Sequence, residues 1–117
     1  MGGSLVVTDE ISWLDVSEVA QRLGVPVSRV RQLVRERQLV GLRTDGELRI
    51  PADFLDGTVI VKHLPGVAML LRDGGFTDEE AVRWLFTSED SLPGTPIQAL
   101  RDNRATEVKR RAQASAL

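Results

Sequence analysis

The stretch "WLDVSEVAQRLGVPVSRVRQLVRERQLVGLRTDGELRIP", Trp13 to Pro51, changes its periodicity twice within forty residues, and this limits what the chain can become. Val19, Ala20 and Leu23 recur at helical spacing behind a capping Ser17, and Gly24 ends that run. After the link "GVP" a second helix is expected from Val27 to Arg37. At about 3.6 residues per turn, Val27, Val30, Leu33 and Val34 fall on one stripe, with the stem of Arg37 along its edge. Ser28, Arg29, Arg31, Gln32 and Arg35 point away from that stripe. The period then drops to two. Leu39–Arg43 and Glu47–Ile50 read as strands around Asp45-Gly46, a pair suited to a type I′ turn in which both central residues have positive φ. Pro51 stops the second strand. Ile11, Trp13 and Val16 suggest a short extended lead-in. Two short helices and a hairpin must share one small core.

The second helix is also where the charge concentrates. The formal net charge is -2, but it is unevenly spread. Residues 1–21 carry Asp9, Glu10, Asp15 and Glu18 and no base. Residues 22–49 carry Arg22, Arg29, Arg31, Arg35, Arg37, Arg43 and Arg49 against Glu36, Asp45 and Glu47, a local excess of +4. Residues 50–102 sum to -5 and residues 103–117 to +3. Charges act over about 8 Å at physiological salt, so the local excess steers a partner more than the total does.

Composition narrows the function classes. The chain has no Cys and a single histidine, His63, so disulfide and thiolate chemistry are excluded, and no metal-ligand spacing is present. No phosphate-binding glycine loop and no catalytic constellation is present, so neither an enzyme nor a bound cofactor is expected. No apolar run approaches the roughly 20 residues that span a bilayer. The N-terminus lacks a basic segment followed by an apolar one, so a cytoplasmic protein is expected.

Helix, short turn, helix and hairpin is the order of a winged helix-turn-helix, and its chemistry suits double-stranded DNA. A helix fits the major groove, and Ser, Gln and Arg offer hydrogen bonds to base edges and phosphates. Arg29, Gln32 and Arg35 are expected nearest the bases, with Arg31, Arg22 and the wing Arg43 on phosphates. Ser28 is either a phosphate contact or a local backbone hydrogen bond. Arg49 and Arg43 are wing contacts or ordinary cross-strand charges, Arg43 favoured because it adjoins the turn. Specific binding by so small a module calls for a second copy or a partner.

Residues 1–10 read as a flexible tail, 11–55 as the DNA-binding domain and 56–117 as a helical C-terminal domain. "ADFLDGTVIVKHLPG" reads as a connector, "VAMLLRDGG" as a short helix stopped by glycines, and "TDEEAVRWLF" as a helix opened by a Thr77–Glu80 capping box. Pro96 starts another helix, and "ATEVKRRAQASA" is a final amphipathic one. Trp13 and Trp84 are expected in the core. Lys109, Arg110 and Arg111 suit the negative end of the last helix.

On these residues, "WLDVSEVAQRLGV" through "ELRIP" resembles the DNA-binding domain of the MerR and excisionase type. "VKHLPGVAMLLRDGGFTDEEAVRWLF" and "PIQALRDNRATEVKRRAQA" extend the likeness. Over nearly all of residues 13–115 the chain resembles actinobacterial winged-helix DNA-binding proteins linked to serine/threonine kinase signalling. That resemblance implies DNA binding, a winged helix-turn-helix followed by a helical C-terminal domain, and control by phosphorylation of an N-terminal tail. Thr8 is the candidate acceptor; phosphate there would add negative charge and weaken DNA binding. "AVRWLFTSEDSLPGTPIQAL" and "ATEVKRRAQA" are similar to the toxin-binding domain of Xre-type antitoxins, with Leu92, Gly94, Thr95 and Pro96 matching. This second resemblance implies a protein partner or a homodimer through the C-terminal domain. An antitoxin-like protein, and an interaction scaffold that does not bind DNA, stay open as alternatives.

Overall fold

The computed structural model describes residues 11–88 and 94–115. The tail 1–10 with Thr8, and Leu92, lie outside the described residues. The first strand, β1 (Trp13–Asp15), runs directly into α1 (Val16–Leu23). The helix starts on Asp15, not Ser17. Asp15 Oδ1 accepts from the Glu18 amide at 2.8 Å and Glu18 Oε1 accepts from the Asp15 amide at 3.0 Å. This reciprocal box satisfies two otherwise orphan donors. A carboxylate also suits the positive end of the helix, so Asp15 displaces the serine two residues later.

The second helix, α2 (Val27–Arg35), buries Val30 and Leu33 as its stripe requires. It ends two residues before the expected limit at Arg37. The Arg37 amide donates to Val34 O at 3.1 Å and the Gln38 amide to Leu33 O at 2.9 Å, with Arg37 at φ 64°. That is a Schellman end in which an arginine holds the left-handed position that glycine normally takes. The chain turns sharply there, and Leu39 and Val40 enter the core before pairing begins.

The wing is therefore shorter than expected at its start: β2 (Leu42–Thr44) and β3 (Glu47–Pro51). Asp45 and Gly46 have φ of 53° and 81°, the two positive values a type I′ turn needs. The three strands form an antiparallel sheet in the order β1-β3-β2, with Leu14 opposite Ile50 and Arg43 opposite Leu48.

A 3-10 turn (Ala52–Phe54) follows, and then the expected connector turns out to hold a second hairpin. Strands β4 (Leu55–Asp56) and β5 (Val59–Ile60) pair around Gly57, at φ 65°. Four helices follow among the described residues: α3 (Leu64–Asp73), α4 (Asp78–Leu85), α5 (Pro96–Arg101) and α6 (Ala105–Ala114). The Thr77–Glu80 box is formed, at 2.8 and 3.1 Å. Among the described residues no helix is long and apolar enough to cross a membrane.

The architecture is mainly α, a winged helix-turn-helix followed by a helical C-terminal half. One buried cluster runs across residue 55 without a break. Phe54, fully buried, lies with its ring centroid 5.7 Å from that of Phe86. Burying such a ring contributes on the order of 2–3 kcal/mol, so the contact fixes the two halves against each other. Trp84 is half-buried, and its indole N–H donates to Ser115 Oγ at 3.2 Å, tying α4 to the end of α6.

Candidate nucleic-acid interface

Burial of Val30 and Leu33 turns the opposite side of α2 outward, so Ser28, Arg29, Arg31 and Arg35 are exposed and Gln32 is half-exposed. The wing then divides that surface in two. Arg31 and Arg35 flank a groove shared with Arg43 of β2, floored by Val34, Gly41, Leu42 and Leu48. The register explains why Arg43 belongs to it. Directly opposed residues of an antiparallel pair project to the same face, and Arg43 opposes the buried Leu48. Three arginine side chains thus line one concave strip between a helix and a hairpin.

Neither Arg31 nor Arg35 has an ion-pair or hydrogen-bond partner among the described residues, so both are free to meet an anion. Arg43 is lightly held, by a 3.4 Å hydrogen bond to Gly46 O that steadies the turn. Arg49 follows Leu48 by one residue and projects to the other face of the sheet. There it meets Glu47 Oε1 at 3.4 Å and does not line the groove. Arg22 is exposed in the last turn of α1, and Ser28 in the first turn of α2.

Arg29 and Gln32 do not line this groove. Both are tethered to Glu36, the residue that caps the helix: Gln32 Nε2 donates to Glu36 Oε2 at 2.9 Å, and Arg29 Nη1 is 3.9 Å from Glu36 Oε1. Helical periodicity separates outward-facing from core-facing residues but gives Glu36 no role. Its spacing of four from Gln32 is the signal that would have found it. A second acid was out of reach of any local pattern. Asp78, at the start of α4, closes the groove from the C-terminal half and is paired with Arg72 at 3.0 Å.

Residues 4–55 match the family model described as the wHTH domain of DNA-binding protein Rv2175c, and residues 61–116 match that of the Rv2175c C-terminal domain of unknown function. The DNA-binding protein Rv2175c of Mycobacterium tuberculosis (strain ATCC 25618 / H37Rv) is 42% identical, over 98% of this chain and 87% of that one. The chain belongs to the Rv2175c family. The fold agrees: the NMR structure of Rv2175c superposes with a TM-score of 0.82 at 41% identity, covering 92% of this chain and 83% of the other. Membership covers both halves of the chain.

Proposed function

We propose that this chain is a duplex-DNA-binding protein that seats α2 in the major groove and lays the wing along the adjacent backbone. The observation that carries the reading is the convergence of Arg31, Arg35 and Arg43 on one groove, two of them without protein partners. Its support is membership in a family named for DNA binding. Arg31, Arg35 and Arg43 hold phosphates on the wing side, with Arg35 reaching a base edge as the helix enters. Gln32 and Arg29 read further bases, and Ser28 from the start of α2 and Arg22 from the end of α1 add backbone contacts. Arg49, on the outer face of the wing, reaches the backbone only if the duplex bends around the hairpin.

In this reading the protein is a transcriptional regulator or nucleoid-associated factor of the cytoplasm. Residues 11–55 carry the DNA contacts and 56–117 a homodimer or partner contact. A serine/threonine kinase acting on Thr8 would weaken binding by adding charge.

A fluorescence-polarisation titration with labelled duplex at two salt concentrations tests the function. The expected result is binding that weakens steeply with salt, and a loss of about tenfold or more in Arg31→Ala/Arg35→Ala/Arg43→Ala, with the salt slope reduced by about 2–3. A chain that binds no duplex at low salt, or a triple variant that binds as well as wild type, contradicts it.

A further inference from the structure

Gln32 and Glu36 stand one helical turn apart, and the 2.9 Å contact between them has a chemical consequence. An ionised carboxylate only accepts hydrogen bonds. The Gln32 amide therefore has its NH2 end toward Glu36 and its carbonyl end away from it. One N–H is spent on Glu36, leaving the second N–H and Oε1 for a ligand. A donor and an acceptor side by side on a planar amide match the major-groove edge of adenine, which offers the N7 acceptor and the N6 amino donor. They do not match guanine, whose N7 and O6 both accept. Arg29, whose guanidinium would favour guanine, is drawn to the other oxygen of the same carboxylate at 3.9 Å.

We infer that Glu36 sets base specificity through its neighbours: it holds Gln32 in the orientation that reads adenine and withholds Arg29 from guanine at that base pair. Glu36 is a positioning residue and touches no base itself. The inference rests on the proposed entry of α2 into the major groove. Without Glu36 the amide rotates freely, Arg29 is released, and guanine becomes acceptable where adenine was required.

Selection from a randomised duplex pool with the full chain tests this, comparing wild type with Gln32→Ala, Glu36→Ala and Glu36→Gln. The Glu36 side chain is 51% exposed, so its replacement leaves the core intact. Wild type should show one base pair at which adenine is favoured over guanine by about tenfold or more, and Gln32→Ala should flatten that position. Glu36→Ala should still bind duplex, with the preference there reduced to about twofold or less. Glu36→Gln offers Gln32 a donor as well as an acceptor and carries no charge to hold Arg29, so it too should lose most of the preference.

A Gln32-dependent position that favours guanine in wild type would overturn the inference, as would an unchanged preference in Glu36→Ala. A Glu36→Gln chain that keeps the full preference would overturn it too, since its amide neither fixes the orientation of Gln32 nor holds Arg29. If wild type binds duplex but no position responds to Gln32→Ala, this inference fails while the proposed function stands. If wild type binds no duplex at all, the functional reading itself fails.

Discussion

Arg101 donates through Nη1 to the backbone carbonyl of Leu55 at 2.7 Å, across 46 residues of chain, and to that of Asp53 at 3.0 Å. These carbonyls belong to the turn and strand that leave the wing, and Arg101 closes α5. One cation thus pins the helical half to the base of the winged half. Charge-assisted hydrogen bonds to backbone are among the stronger polar contacts. Arg101→Ala should lower unfolding stability by about 1–2 kcal/mol, and Arg101→Lys by less. A urea midpoint that falls at constant slope in Arg101→Ala would bear this out.

Because the core is continuous through Phe54 and Phe86, the two halves should unfold together. Phe54→Ala should cost about 3–5 kcal/mol, and Phe86→Ala less, since Phe86 is only half-buried. Denaturant curves followed by tryptophan fluorescence and by circular dichroism should coincide, because Trp13 and Trp84 report on opposite halves. Two separate transitions would contradict a shared core.

Asp78 brings a carboxylate to the arginine groove. Asp78→Asn removes that charge and frees Arg72 from its 3.0 Å pair. DNA affinity at low salt should rise by about two- to fivefold, and the gain should fade as salt screens it. Titrations of both proteins at low and high salt measure the difference.

Glu80 gives a pH dependence with a definite sign. The hydrogen bond from the Thr77 backbone amide, and then the one with the Thr77 side chain, hold its carboxyl below the ordinary value of 4.5. A depressed folded-state value means the stabilisation is complete above about pH 4.5 and is lost as pH falls through the lower folded value. Glu80→Gln should therefore show a shallower loss of thermal stability below pH 4.5 than wild type. Parallel curves over that window would count against the assignment.

The helix-turn-helix and wing were legible because each signal was local. Val27, Val30, Leu33 and Val34 mark one face, and Asp45-Gly46 can make one kind of turn. The end of α2 was not legible, because Arg37 occupies a backbone position for which glycine is the usual marker. The second hairpin hid in a connector because its strands are only two residues long, too short for alternation to register. In the candidate interface, helical periodicity marks the outward residues of α2 but does not say which of them faces the wing. That depends on the register of Arg43 with Leu48. Asp78 enters from a different half of the chain, and only packing brings it to the groove.

The central claim is that α2 and the wing together contact DNA, and an NMR titration of isotope-labelled protein with a short duplex tests it most directly. The account predicts that amide shifts concentrate in residues 27–36 and 42–49, with the Arg31, Arg35 and Arg43 side-chain signals among the most displaced and α6 silent. Shifts centred on Lys109 and Arg110 in α6, with α2 undisturbed, would contradict it.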